Sequence, residues 1–229
     1  AHVVALTLKP ALIVFGGVAA LLMLQPNLGT TIVLGAIVLT VLYVAGQRLH
    51  HLGGIAVLGG LAAGFLAFGA SYRRARMTAF LNPWADPGDT GYQTIQSLVG
   101  IASGGLKGVG LGASRAKYEF LPEAHTDFIF AIVAEELGLI GAAFVIGLFL
   151  ALAYFGIRVA LSTADTFGRL VAAGITAWFA VQAFMNIGVV VAVLPITGVP
   201  LPFVSFGGSS LVVTMVAAGI LANIASHAD

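Results

Sequence analysis

The sequence lacks cysteine altogether and is poor in charged residues, and both shortages limit what the protein can be. Without cysteine, disulfide bonds and thiolate metal sites are excluded. Charged residues make up 8% of the 229 positions, whereas soluble domains average about 25%. Hydrophobic residues reach 59% and the mean hydropathy is +1.05, so this surface cannot face water on all sides. The few basic residues lie mostly in one segment, which argues against nucleic-acid binding.

Apolar runs along the chain predict about six membrane-spanning helices. They are residues 10–24, 30–45, 52–70, 127–157, 170–194 and 209–225. Because the bilayer core offers no water, each span must satisfy its own backbone as a helix, and the 30 glycines suit close helix packing in lipid. The predicted fold is all-α: a polytopic membrane helical bundle that forms a single membrane domain over residues 1–229. No basic stretch with a small-residue cleavage site opens the chain, so we predict no signal peptide.

Residues 71–126 form one long segment that interrupts the apolar pattern and holds most of the charge. Its stretch NPWADPGD, residues 82–89, has the composition of turns. Over residues 92–103, apolar side chains recur on one helical face, opposite Gln93 and Gln96. Those apolar side chains are Ile95, Leu98, Val99 and Ala102. The spacing predicts a helix that lies in the membrane interface or against the bundle.

A glycine-rich run, GGLKGVGLG, follows at residues 104–112. It contains too much glycine to form a helix. It also resembles the dinucleotide-binding pattern GxGxxG only loosely, and no predicted strand precedes it. We therefore predict an irregular loop here and no dinucleotide site.

Charge counting does not settle which side of the membrane the long segment faces. Six alternating spans place four basic residues on one side: Lys9, Arg48, Arg158 and Arg169. The long segment carries six on the other side, so a positive-inside count favours the cytoplasm for it. That rule weakens as loops lengthen, and a surplus of positive charge outside would require an anionic partner.

Asp127 is the carboxylate that stands out, because it enters the strongly apolar sequence FIFA at residues 128–131. An ionisable group at the edge of a membrane span is costly and is a functional candidate by default. The alternative is an interfacial carboxylate stabilised by a helix N-terminus or a nearby lysine. Further along this span, Glu135 and Glu136 must face protein or a polar cavity, either in a structural pairing or in contact with substrate.

Two polar features stand out in the later spans. Gln182 and Asn186 are four residues apart on the fifth span and are interpreted as hydrogen bonding between helices. The sequence GGSS at residues 207–210 opens the sixth span, where its backbone N–H groups could face an anion. Close packing of small residues accounts for GGSS equally well.

Motifs in a fixed order span nearly the whole chain. They are QPNLGT at 25–30, NPW at 82–84, GYQ at 91–93, QS at 96–97, GVGLG at 108–112, LPEAHTDFIFA at 121–131, EELG at 135–138 and LPFVSFGGSS at 201–210. In order and spacing they resemble the SEDS family of bacterial cell-wall glycosyltransferases, the FtsW/RodA/SpoVE group. The forms PEAHTD and NPW are those of its cell-division members. Two positions depart from the pattern: Asn27 replaces an aspartate, and Phe206 replaces a tyrosine.

The resemblance implies a family fold of ten membrane helices, of which this chain matches the later six. We therefore expect it to be the C-terminal part of a longer protein or one half of a split one. The resemblance also implies a multi-pass protein of the bacterial cytoplasmic (inner) membrane, with residues 71–126 as a long extracytoplasmic loop. The expected activity is polymerisation of lipid II into β-1,4 glycan strands during cell division. Expected partners are lipid II, a class B penicillin-binding transpeptidase and other divisome proteins.

The same resemblance identifies Asp127 with the family's catalytic aspartate, which implies a general base for the acceptor hydroxyl. Cations would stabilise the leaving pyrophosphate, and each is alternatively a solvated or lipid-facing charge. The candidates are Arg73, Arg76, Lys107, Arg115 and Lys117. Glu119 matches another acidic family position, and it would orient a cation or, with Asp127, bind Mg or Mn. Two carboxylates are too few to specify a metal site, so no metal ligands are assigned, and a requirement for a divalent cation, Mg or Mn, is left open.

Two further candidates complete the predicted substrate-binding set. His125 would pass a proton or act as an ordinary hydrogen-bonding residue. Ser209 would contribute to an anion site at the start of the last span. Two rival functions remain open at this stage: a lipid II flippase, and a non-catalytic fragment that docks to division proteins. The position of Asp127 at a membrane edge, rather than at the midplane where transport sites lie, favours the enzyme.

Overall fold

The structure is a computed structural model that describes residues 2–69, 80–115, 122 and 125–228, with the side chains of 2–7 and 66–69 left out. These residues are helical with irregular connections and contain no strand. The α-helices with described bounds are α1 (His2–Leu24), α2 (Leu28–Val44), α3 (Leu49–Gly69), α4 (Tyr92–Gly104), α5 (Ile129–Ser162), α6 (Thr166–Val190) and α7 (Gly208–Ser226). A 3-10 turn at Pro83–Ala85 lies within the predicted turn sequence. The all-α prediction is confirmed.

Each of the six predicted apolar runs falls on one of these helices. By length and composition α5, α6 and α7 suffice to cross a membrane, and the described parts of α1, α2 and α3 are apolar over 10–17 residues each. These apolar parts are Leu8–Leu24, Leu28–Val44 and Leu49–Phe65. The helical nature of the runs is therefore confirmed, and a count of six spans stays a prediction.

Asn27, one of the two departures from the family pattern, has a local structural role. It is the N-cap of α2, where its side-chain oxygen accepts a hydrogen bond from the Thr30 N–H at 3.1 Å. Asparagine and aspartate cap helices about equally well. The substitution therefore preserves the start of α2 while removing a charge.

The helix predicted over residues 92–103 is confirmed as α4, but its buried face differs from the apolar face in the sequence. The buried residues are Thr94, Ile95, Ser97, Gly100 and Gly104. Val99, on the apolar face, is 51% exposed. Small residues are buried because the backbone approaches so closely: the Ser97 hydroxyl donates to the Val190 carbonyl at 2.8 Å. The apolar face is therefore divided, with Ile95 buried and Val99 outward, so packing against the bundle and lying in the interface both stay open.

The chain divides into two compact units. The first contains α1 to α3 up to Leu66, α5 from Leu152, α6 up to Val181 and α7 from Met215. Its buried cluster consists of Ala160, Ala172, Ala173 and Leu221. Glycine sets the helix spacing here, since a Cβ on Gly174 would lie 3.2 Å from Val41 Cγ2. This is the close packing that the glycine content predicts.

The second unit contains α4, the glycine-rich run, α5 up to Ala151, α6 from Gln182 and the chain up to Thr214. Its core surrounds the start of α5 and the end of α6, with Phe128, Val190 and Leu201 at most 1% exposed. All of the site features described next belong to this unit.

Candidate active site

Helix α5 is broken at Gly138, whose φ of 68° and ψ of −168° are not helical. In a continuous helix the N–H groups of Leu139 and Ile140 would donate to the carbonyls of Glu135 and Glu136. The break leaves these four groups without helical partners, and the glycine-rich run supplies all four replacements. The bonds are Val109 N–H to Glu135 O (3.0 Å), Gly110 N–H to Glu136 O (3.1 Å), Leu139 N–H to Gly105 O (2.9 Å) and Ile140 N–H to Leu106 O (3.3 Å).

Close approach explains why glycine is required at this junction. A Cβ on Gly138 would lie 2.6 Å from the Leu106 carbonyl oxygen. A Cβ on Gly108, which has a φ of 80°, would collide with the Glu136 carbonyl. The run is irregular, as predicted from its composition. Its pairing with the helix break was not predicted, although the glycine within EELG was a visible signal.

Glu135 links this loop to α5 through its side chain. It is 3% exposed, and its carboxylate accepts hydrogen bonds from the hydroxyls of Ser103 (3.3 Å) and Ser114 (2.5 Å). The backbone N–H of Arg115 donates to it as well, at 3.0 Å. Of the two explanations left open for Glu135, structural pairing is therefore observed. Glu136 differs, since its buried Oε1 has no hydrogen-bond partner in the described part of the chain.

A cavity of about 550 Å³ lies between α4, the loop and the start of α5. Its polar lining comes from Gln96, Ser103, Arg115 and Glu135, and small apolar residues complete the wall. Arg115 is the predicted cation that lines it. Such a mixed wall suits a ligand with both a charged group and hydroxyls.

Asp127 precedes α5 and is half-buried. Three consecutive carbonyls at this point are each bound by a different donor from α6 or the α6–α7 connection. The bonds are Phe206 N–H to His125 O (2.8 Å), Ser205 Oγ–H to Thr126 O (2.6 Å) and Asn186 Nδ2–H to Asp127 O (2.7 Å). Gly198 adjoins the carboxylate, and a Cβ there would lie 3.4 Å from Asp127 Oδ2. The backbone that carries Asp127 is therefore firmly held.

The prediction that Gln182 and Asn186 bond between helices is wrong. Gln182 Nε2–H donates to the Pro200 carbonyl, and Asn186 Nδ2–H donates to the Val199 carbonyl, each at 2.8 Å. These carbonyls lie in an irregular connection without helical partners, and buried carbonyls must be satisfied. Both amides therefore support the connection, and Asn186 alone also binds the Asp127 carbonyl that precedes α5.

Phe206, the second departure from the family pattern, contributes through its backbone. Its side chain is 79% exposed, while its N–H binds the His125 carbonyl. Loss of the tyrosine hydroxyl therefore leaves this hydrogen bond intact.

The remaining predicted residues are distributed around these features. Three of them are exposed. Lys107 lies on the glycine-rich loop, His125 lies two residues before Asp127, and Ser209 lies at the start of α7. A Cβ on Gly208 would meet nothing within 4 Å, so the close-packing explanation of GGSS has no support at that position. Four of the predicted residues lie outside the described residues: Arg73, Arg76, Lys117 and Glu119.

The metal prediction pairs Asp127 with Glu119, and it stays a prediction because Glu119 lies outside the described residues. No group of three or more His, Cys, Asp or Glu side chains with metal-binding geometry occurs among the described residues. Asp127 offers one carboxylate, whereas hard divalent cations take several oxygen ligands. We therefore assign no catalytic step to a metal.

Three helices, α5, α6 and α7, are long and apolar enough to cross a membrane. They define the class: an integral membrane protein of the all-α type. The model of the FtsW/RodA/SpoVE family, described as cell cycle protein, matches residues 4–229. The chain belongs to this family.

Individual relatives agree with the family assignment. The chain is 46% identical over 218 residues to the probable peptidoglycan glycosyltransferase FtsW of Geobacter metallireducens. It is 45% identical over 220 residues to stage V sporulation protein E of Bacillus subtilis. Each match covers 95% of this chain, but 58% and 60% of the respective relatives. The chain thus spans less than two thirds of the length of these relatives.

Solved structures show the same fold. A chain from a peptidoglycan synthase complex that coordinates polymerization and crosslinking matches with a TM-score of 0.74 at 29% identity, covering 95% of this chain and 61% of that one. The rod shape determining protein RodA of Thermus thermophilus matches with a TM-score of 0.62 at 27% identity, covering 94% and 55%. These similarities include the helices that build the candidate site.

Proposed function

We propose that this chain is the larger part of a peptidoglycan glycosyltransferase that polymerises lipid II into β-1,4 glycan strands. The observation that carries the proposal is Asp127, a carboxylate on firmly held backbone at the start of a broken membrane helix. A general base must have a fixed position relative to the proton that it removes. The similarity to a probable peptidoglycan glycosyltransferase supplies the reaction class.

The reaction is a single displacement that inverts the anomeric carbon. Asp127 removes the proton from the acceptor 4-hydroxyl while that oxygen forms a bond to the donor's anomeric carbon. The bond from this carbon to the pyrophosphate oxygen breaks, and undecaprenyl pyrophosphate leaves with the electron pair. Because pyrophosphate needs no proton to leave, one carboxylate suffices, in contrast to the paired carboxylates of glycosidases.

Arg115 stabilises the leaving pyrophosphate from the wall of the cavity. Its backbone N–H binds Glu135, which limits the movement of the residue. A guanidinium binds phosphate oxygens in a bidentate geometry, so a constrained arginine suits this role. Lys107 and the N–H groups at Ser209 add positive potential. His125 relays a proton. The substrate-binding set is completed by Arg73, Arg76, Lys117 and Glu119.

The proposed setting is the extracytoplasmic face of the bacterial inner membrane, during cell division. A class B penicillin-binding transpeptidase is the proposed partner, because glycan polymerisation must be coupled to crosslinking. The similarity to a chain from a complex that coordinates the two activities supports this pairing. The FtsW relative supports the division role, although a sporulation protein is almost equally similar.

The flippase alternative draws support from the broken helix, because transporters bind substrates at the exposed backbone of such breaks. In this chain, however, the glycine-rich loop satisfies all four groups that the break at Gly138 frees. These four groups are therefore not available to a transported molecule, and we favour the enzyme.

The test is glycan-strand synthesis from purified lipid II in liposomes, with products separated on a gel. The samples are this chain, this chain joined to the N-terminal helices of a relative, and the joined form with Asp127→Asn. We expect a product ladder from the joined form and a loss of at least about 100-fold with Asp127→Asn, in line with general-base catalysis.

The matched control is Asp165→Asn, a carboxylate whose Oδ2 accepts the Gly168 N–H at the start of α6. This variant should keep the ladder. Absence of a ladder from the joined protein, where a known family polymerase succeeds, would refute the proposed activity. Full activity of Asp127→Asn would refute the base assignment.

A further inference from the structure

Asn186 connects three parts of the second unit through one side-chain amide. It lies on α6 one turn before the helix ends and is 1% exposed. Its Nδ2 group donates to the Asp127 carbonyl at 2.7 Å and to the Val199 carbonyl at 2.8 Å. One amide hydrogen thus binds the backbone carbonyl of the candidate base, and the other binds a backbone carbonyl of the α6–α7 connection.

The second of these bonds fixes what lies beside the carboxylate. Val199 follows Gly198, the residue whose missing side chain leaves space next to Asp127 Oδ2. The same amide therefore sets both the backbone of Asp127 and the position of the backbone opposite its carboxylate.

We propose that Asn186 is a positioning residue for Asp127, a proposal that rests on the polymerase function proposed above. It makes no contact with substrate. It acts by orienting the carboxylate and by holding the Gly198 backbone away from it. A displacement of about 1 Å in a reacting group can reduce the rate by about 100-fold, so the loss should fall on kcat and leave lipid II binding almost unchanged.

Gln182 provides a matched control on the same helix. It lies one turn earlier, is 8% exposed, and donates to the Pro200 carbonyl at 2.8 Å. Its amide thus supports the same connection through the same kind of bond, but it does not bind Asp127. A role that is merely structural would give the two amides similar importance.

The experiment measures kcat and KM for lipid II polymerisation by the full-length protein in liposomes. Asn186→Asp is almost isosteric and replaces the donor with an oxygen that faces two carbonyls. We expect kcat to fall by about 10- to 100-fold with KM changed less than about threefold, whereas Gln182→Glu keeps kcat within about threefold. Asn186→Ala, which introduces no charge, should lose kcat in the same way and covers the case in which Asn186→Asp does not fold.

Each other outcome has a definite meaning. If Asp127→Asn abolishes synthesis but both Asn186 variants keep kcat, the positioning role is wrong and the polymerase stands. If the Asn186 and Gln182 variants lose kcat equally, or if KM rises instead of kcat falling, the role is structural or substrate-binding and the inference fails. If Asp127→Asn itself keeps full activity, the base assignment fails first.

Discussion

Glu135 shows how a charged residue is accommodated in an apolar part of the chain. An isolated buried carboxylate would be very costly, but hydrogen bonds to the charged form offset much of that cost. Two hydroxyls and one backbone N–H supply such bonds from α4 and the loop that follows it. The carboxylate thus ties three stretches of chain to one point, and removing it takes the acceptor away from the buried Ser114 hydroxyl and from the Arg115 N–H.

We therefore predict a large difference between two adjacent carboxylates. Glu135→Ala should destabilise the folded protein by about 3–5 kcal/mol, the usual cost of removing one member of a buried charged network. Glu136→Ala should cost less than about 1 kcal/mol, because Glu136 Oε1 already lacks a partner among the described atoms and the desolvation penalty is relieved. The measurement is the free energy of unfolding in mixed micelles with increasing SDS. Equal costs for the two variants would contradict this reading.

At the residue scale, sequence reasoning identifies the candidate base but not what surrounds it. Asp127 stands out because a carboxylate before an apolar run is unusual. Asn186 was assigned to bonding between helices because a spacing of four residues reveals a shared face and not the partner on it. The actual partners are carbonyls of an irregular connection, and no local pattern predicts where such a connection lies.

At the scale of elements, α5 consists of two helical segments that meet at Gly138. The glycine-rich loop forms hydrogen bonds with both segments. Of its 34 residues, 24 follow Gly138. At about 1.5 Å per residue they extend about 36 Å, enough to cross a hydrocarbon core of about 30 Å. The segment after the break can therefore span the membrane alone, which puts Glu135 and the loop at its edge. Irregular backbone is tolerated there because the four backbone groups without helical partners form hydrogen bonds with the loop.

The break at Gly138 can be tested by substitution. Gly138→Ala should destabilise the protein by about 3 kcal/mol or more, from a positive φ and a collision with the Leu106 carbonyl. Gly147→Ala, on the same helix with open space around it, should change stability by less than about 1 kcal/mol. Amide hydrogen exchange at Val109 and Gly110 should accelerate only in the first variant. Unchanged protection in Gly138→Ala would show that the loop does not depend on the break.

The extent of sequence-based prediction differs among the elements. Apolar runs predict α5, α6 and α7 to within a few residues, because a span must be a helix whatever it packs against. Sequence reasoning did not predict the break in α5, because glycine is ordinary in membrane helices and Gly138 by itself does not mark a break. The apolar face of α4 does not predict its buried residues, because close backbone approach also selects small ones such as Ser97 and Gly100.

At the scale of the whole molecule, many large apolar side chains of the described residues face outward, while several polar ones are buried. Large apolar residues such as Phe144 (67%) and Leu150 (65%) are exposed along α5, while Gln182, Asn186 and Glu135 are buried. Isolated apolar residues occur on any protein surface, but an apolar surface this extensive requires lipid or another protein around it. Composition alone predicts this arrangement, since 8% charge cannot cover a surface in water.

A lysine introduced at two depths of α5 tests this arrangement. Leu150 lies midway along the segment of α5 after Gly138, and Leu161, 77% exposed, lies near its end. Leu150→Lys should oppose membrane insertion by about 3 kcal/mol, whereas a lysine at position 161 can extend its amine to the interface at almost no cost. The fraction of full-length protein that resists alkaline extraction from membranes should therefore fall sharply for Leu150→Lys only. Equal insertion of both variants would mean that water surrounds the middle of α5, and the span assigned to residues 139–162 would be wrong.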